Sequence, residues 1–212
     1  VVLHCRYQLE SRSAPGGNPF CQHGLDPDDE GNGRFEGSVV SHVLRLHGKS
    51  PIYSYVRTRE QFEQAALEFG KSNYRYLHIS AHAEPEGMCT TNQEEIDYDE
   101  LAEILAPHLK GRRLFLSACS MVHEDMAKEI IPKTECYSVV GPREDIPFTT
   151  AAVFWPALYH LMFTIKDTAI SHKTLKDNLS RVSDLFDTEI GYFSKSKKLK
   201  RGYTSDIMKR QR

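Results

Sequence analysis

Two apolar runs constrain this chain more than any other feature. The first is Tyr76-Leu77-His78-Ile79-Ser80-Ala81-His82, and the second is Leu114-Phe115-Leu116-Ser117-Ala118-Cys119. Between them, Glu100 to Leu109 carries a helical pattern, with Leu101, Ile104, Leu105 and Leu109 on one face and Gly111 as the stop. Two strands joined by a crossover helix form a βαβ unit, and such a connection runs the strands parallel. Each run ends in a residue able to do chemistry, and in open parallel sheets such groups gather at the carboxyl ends of the strands. His82 and Cys119 are therefore a candidate base and nucleophile on one sheet edge.

The rest of the chain extends the same alternation. Val1 to Cys5 reads as a first strand. Gln8 to Gly37, rich in Pro and Gly and carrying Asp26, Asp28, Asp29 and Glu30, reads as a flexible acidic loop. Ser38 opens a helix stopped by Gly48, Ile52 to Val56 is a strand, and Thr58 caps a helix from Arg59 to Phe69. Met88 to Thr90 and Ile96 to Tyr98 suggest a small hairpin, and Asp97 or Asp99 a cap for the crossover helix. After Cys119, Val122 to Ile131 predicts a helix stopped by Pro132, and Cys136 to Val140 a strand. Thr149 to Phe163 predicts a buried helix, kinked or delayed by Pro156, and Leu175 to Phe186 an amphipathic one. Ile190 to Phe193 and Leu199 to Tyr203 suggest a last pair of strands. Strand and helix in repeated alternation imply an α/β fold, a three-layer αβα sandwich with a mostly parallel central sheet. Nothing divides the chain, so residues 1–212 are read as a single domain.

Composition narrows the partners. A net charge of -2 over 212 residues argues against a polyanion as a partner of the whole surface. The basic stretch 195–212, with eight Lys or Arg against Asp206, reads as a C-terminal tail and is the one place where nucleic acid could bind. No apolar run reaches the roughly 18 residues of a membrane span. No basic-then-apolar leader opens the chain, and Val1 rather than Met stands first, which leaves room for a removed N-terminal part. The five cysteines are odd in number and lack CxxC spacing, which predicts reduced thiols and a cytoplasmic location.

The chemistry of a thiol and an imidazole is nucleophilic. Imidazole can take the thiol proton and later return it to a leaving amine, while backbone N–H groups hold the oxyanion. A helix beginning soon after Cys119 would offer such groups, and Ser117-Ala118 leave room around the sulfur. Other chemistries fit less well. A cysteine phosphatase needs Arg six positions after its Cys, where Asp125 stands. GxSxG, P-loop, GxGxxG and HExxH patterns are missing, and His78 with His82 would need further ligands to hold a metal.

The series LHISAHAEPEG, IDYDELAEIL and RRLFLSACS resembles the CHAT peptidases, caspase-like members of clan CD, the clan of separases, gingipains and legumains. YSVVGPREDIPFTTAAVFWPALYHLMF is similar to the strand, loop and helix that follow in that family, with Phe154 and Tyr159 at its aromatic positions. The resemblance runs from about Ile52 to Phe163. It implies a caspase-like fold and a cysteine endopeptidase without metal or cofactor. His82 would be its base, Cys119 its nucleophile, and the N–H groups of Ala83 and Cys119 its oxyanion donors. It also implies a protein or peptide substrate and a regulatory repeat or sensor partner, as in bacterial signalling or defence. The family carries Gly where Ala83 stands, so a non-catalytic domain that binds protein partners is the alternative. Glu144 and Asp145 could line an acidic pocket for Lys or Arg, with Arg143 opposing that charge, or could be solvated loop acids.

Overall fold

A computed structural model describes residues 2–5, 36–165 and 170–209. Five parallel strands build its centre: β1 (Val2–Cys5), β2 (Tyr53–Val56), β3 (Tyr76–Ser80), β7 (Arg113–Ser117) and β8 (Ser138–Pro142). They lie in the order β8-β7-β3-β1-β2. An antiparallel pair, β9 (Ile190–Lys195) and β10 (Tyr203–Met208), completes a seven-stranded sheet beyond β8. A second sheet of three antiparallel strands, β4 (His82–Glu84), β5 (Gly87–Cys89) and β6 (Glu95–Asp97), interrupts the crossover between β3 and β7.

Alternation along the strands sends successive side chains to the two faces of the large sheet, and both faces carry an apolar core. Leu77 and Ile79 of β3, Leu114 and Leu116 of β7, Val139 of β8 and Phe193 of β9 face one way. They meet Phe62, Ala66 and Phe69 of α2 (Arg59–Lys71), Leu101 and Leu105 of α3 (Tyr98–Leu105), and Met126 and Ile130 of α4 (Glu124–Thr134). The other face carries Phe115, Val140, Ile190 and Tyr192 toward α1 (Glu36–Leu46), α5 (Phe148–Ile165) and α6 (His172–Phe186). Phe154, Trp155 and Leu158 of α5 fill that layer, each buried, and large apolar side chains buried this way contribute about 1.5–3 kcal/mol apiece. The three-layer α/β fold with a mostly parallel sheet is what the sequence pattern implies.

Local signals act largely as read. Thr58 Oγ1 accepts from Gln61 N at 3.2 Å to start α2, and Asp97 makes a reciprocal capping box with Glu100 to start α3. Ser171 caps α6 by accepting from Thr174 N at 3.1 Å.

Several expectations are corrected. Pro132 does not end α4, which runs to Thr134 and stops at Glu135 in the left-handed region, φ 52°. Proline takes away one N–H, and the last turn can continue past that loss. Pro156 does not delay α5, which begins at Phe148 and includes it. The basic stretch from Lys195 is not a tail as far as Met208: Leu199 to Gly202 turn the chain, and Tyr203–Met208 becomes the edge strand β10. The reduced-thiol expectation also fails, because Cys89 is disulfide-bonded while Cys119 and Cys136 are free. Spacing along the chain carries no information on cysteines that the fold brings together from afar, so the ground for a cytoplasmic location is removed. Within the acidic loop, residues 8–35 lie outside the described residues, as do Arg210 to Arg212; Glu36 and Gly37 open α1.

Candidate active site at the carboxyl edge of the sheet

Ser80 and Ser117 are paired across β3 and β7, and Ala81 N donates to Ser117 O at 3.0 Å as the ladder ends. His82 stands two residues beyond Ser80, and Cys119 two residues beyond Ser117. Adjacent parallel strands, roughly 5 Å apart, thus deliver both residues to one carboxyl edge. Beyond Ser80 the chain turns into β4, so His82 begins the small sheet and pairs with Cys89. Both His82 and Cys119 are half-buried.

The loop after Cys119 is pressed onto the neighbouring strands. Val122 N donates to Pro142 O at 3.1 Å. A Cβ on Gly141 would lie 2.5 Å from Leu116 O and from Val122 Cγ2, and one on Gly191 would lie 2.7 Å from Val122 O. Two glycines in adjacent strands therefore leave the space in which this loop sits. Ser120 takes a left-handed backbone, φ 51°, which costs energy in a non-glycine residue and occurs often at functional sites. Its N–H donates to Glu144 O at 3.3 Å, and its hydroxyl donates to Asp145 Oδ1 at 2.8 Å.

These bonds bear on the backbone N–H groups expected to serve as oxyanion donors. The helix expected soon after Cys119 begins only at Glu124, and the N–H groups of Ser120, Val122 and His123 are taken up by carbonyls within the loop and its neighbours. The amide of Ala83 lies in β4, and Ala83 is not among the described residues with positive φ, so Ala is unstrained where the resembled family has Gly.

The thiol of Cys119 donates to Ile146 O at 3.7 Å. Burial raises its pKa most, the hydrogen bond to the Ile146 backbone lowers it next, and the carboxylates of Asp145 and then Glu84 raise it by less, with the backbone of Cys119 itself a last, lowering cause. Glu84, two residues past His82 on β4, thus contributes to the electrostatics of the thiol. The two loop acids part company. Glu144 Oε1 accepts from Glu189 N at 3.0 Å and serves the backbone, whereas exposed Asp145 acts on Cys119. Arg143 is drawn off to Glu124 and Glu189, at 3.2 Å each, and offsets neither acid by direct contact.

Sequence reasoning missed Glu84, Ser120 and a buried group beneath the edge. Glu36, the first residue of α1, is buried, and its carboxylate touches Ser80, Ser117 and His78. The available signal was the polar alternation of His78, Ser80 and Ser117 in strands covered on both faces, where polar groups need partners. Among the described residues no three His, Cys, Asp or Glu side chains cluster as a metal site would require, and no helix is long and apolar enough to cross a membrane.

No family model and no curated protein matches the sequence. Solved structures do match in fold. The Arg-specific cysteine proteinase gingipain R superposes with a TM-score of 0.52 at 10% identity, over 85% of this chain and 40% of that one. A secreted C11 cysteine protease from Bacteroides thetaiotaomicron, solved with an irreversible peptide inhibitor, superposes with a TM-score of 0.55 at 8% identity, over 91% of this chain and 65% of that one. The chain is thus similar in fold to clan CD cysteine proteases and spans less than two thirds of the length of either. The fold is caspase-like.

Proposed function

We propose that the chain is a cysteine endopeptidase of the CHAT type, in which His82 and Cys119 form the catalytic dyad. The observation that carries this reading is the register of β3 and β7, which sends one imidazole and one thiol to the same strand-end edge of a protease-like fold. The raised pKa of Cys119 favours one form of the mechanism. A thiol that burial and two acids keep protonated does not attack as a preformed thiolate. His82 takes the proton as sulfur adds to the scissile carbonyl, and the N–H groups of Ala83 and Cys119 hold the oxyanion. The imidazolium then protonates the departing amine, leaving a thioester that water hydrolyses with His82 again as base.

Asp145 and Glu84, whose charges act on the thiol, suit a substrate with Lys or Arg before the cleaved bond, and gingipain R is named as Arg-specific. A peptide library tests both points. Cleavage after basic residues, abolished by Cys119→Ala, is expected; no cleavage, or cleavage that survives Cys119→Ala, overturns the reading. The second reading, a non-catalytic domain on this fold that binds protein partners, draws on the same protonated thiol. It is favoured if Cys119 reacts with a thiol reagent no faster than an ordinary buried cysteine. Regulation by a repeat or sensor protein is part of the endopeptidase reading, with a bacterial signalling or defence system as its setting.

A further inference from the structure

Directly beneath the strand ends lies a polar cluster that the peptidase steps leave unused. Glu36 Oε2 accepts from Ser117 Oγ at 2.8 Å and from Ser80 Oγ at 3.3 Å. Glu36 Oε1 lies 3.3 Å from His78 Nε2, and His78 Nδ1 lies 2.8 Å from Tyr159 OH on α5. A carboxylate only accepts, so His78 carries its proton on Nε2 and receives the Tyr159 hydroxyl on Nδ1, an assignment made from this network. Glu36, His78, Ser80, Ser117 and Tyr159 are each at most 5% exposed.

Such a cluster is costly unless fully paired, and this one is paired at each of these contacts. Its placement is specific. Ser80 and Ser117 are the last strand residues of β3 and β7, they face each other in register, and each stands two residues before a member of the dyad. A single oxygen of Glu36 holds both hydroxyls. The fixed point is therefore the separation and twist of the two strand ends, which sets where His82 and Cys119 begin. His78 and Tyr159 hold the carboxylate from its other side and tie it to α5.

We infer that Glu36 is a positioning residue for the proposed dyad: its carboxylate straps the ends of β3 and β7 together through Ser80 and Ser117. The inference rests on the peptidase reading. Among the described residues Glu36 bonds to His78, Ser80 and Ser117 and would act on the dyad through the backbone, where misplacement by about 1 Å can cost on the order of a hundredfold in rate.

The test uses the full chain with the Glu36→Gln, Ser117→Ala and Ser117→Thr variants, alongside His82→Ala. Gln keeps the size of Glu36 and one acceptor oxygen, and the small Ser117 substitutions keep the fold available if Gln does not. Three readouts are taken: kcat and KM on a cleaved peptide, the rate at which iodoacetamide alkylates Cys119, and the thermal midpoint. Expected are a tenfold to hundredfold fall in kcat with unchanged KM for Glu36→Gln and Ser117→Ala, a parallel loss of alkylation rate, and recovery with Ser117→Thr, which restores the hydroxyl. A lowered thermal midpoint with wild-type kcat makes Glu36 merely structural and overturns the inference. Alkylation that depends on His82 but not on Glu36 overturns it while leaving the dyad standing. Alkylation indifferent to His82 overturns both.

Discussion

The two faces of the central sheet are built on different principles. Against α2, α3 and α4 the strands present Leu77, Ile79, Leu114, Leu116, Val139 and Phe193, and the layer is held by apolar burial. Against α1, α5 and α6 the alternate positions of the same strands present His78, Ser80, Arg113, Ser117 and Ser138 among the aromatics. Arg113 is buried there, donating to Ser138 Oγ at 2.7 Å, to Tyr192 OH at 3.2 Å and to Ile170 O at 3.0 Å, with its guanidinium over the Tyr137 ring. Apolar packing is non-directional and tolerates small shifts, whereas hydrogen bonds fix distances and angles. The polar face is the one against which Cys119 packs, while Ala81 and Ala83 pack against the apolar one. Stability can thus be spread over both faces, but geometry at the edge is set from one.

Substitutions on the two faces should separate along that line. The largest effect is expected at Arg113. Arg113→Ala leaves a cavity and abandons three buried polar partners, a loss of roughly 3–5 kcal/mol by denaturant unfolding. Leu116→Ala on the apolar face should cost about 2–5 kcal/mol by cavity formation. The folded fraction of Leu116→Ala should nevertheless keep near-normal turnover, and a collapse of turnover at full folding would break the comparison.

A smaller effect is expected at Asp145. Its charge raises the pKa of Cys119, so Asp145→Asn should move the alkylation profile of Cys119 to lower pH, as less work is needed to form the thiolate. Movement to higher pH would reverse the assigned cause. The smallest belongs to the exposed surface. Glu135 is held at about 2, chiefly by Lys110 and then by Lys195. A carboxyl depressed in the folded state stabilises above its ordinary value of 4.5, and that contribution is lost as pH falls from 4.5 to about 2. Glu135→Gln should therefore flatten the acid side of the thermal midpoint slightly, and an unchanged slope would leave the ion pairs without consequence.

Much of this architecture was legible because it follows from period and sequence order. The apolar runs 76–82 and 114–119, the capped crossover helix and the small residues before Cys119 located both the parallel strands and their ends. The β4–β6 sheet was visible only as a short hairpin, so β3 was read through His82 when it ends at Ser80. The role of Glu36 was hidden in an acid-rich segment where carboxylates read as solvated; its burial depends on Ser80, Ser117 and His78, which lie 42 to 81 residues away. The last pair of strands was legible, but its second member was placed at Leu199 to Tyr203 when it runs Tyr203–Met208, since charges on an edge strand and on a free tail look alike in sequence.

The central claim is that His82 activates Cys119. It is tested most directly by the rate at which a peptide-like electrophile labels Cys119 in the folded protein, followed by site-resolved mass spectrometry, in the wild type and in His82→Ala. The expected result is selective labelling of Cys119 over Cys136, falling by about a hundredfold or more when His82 is removed. Equal labelling of Cys119 with and without His82 would contradict it.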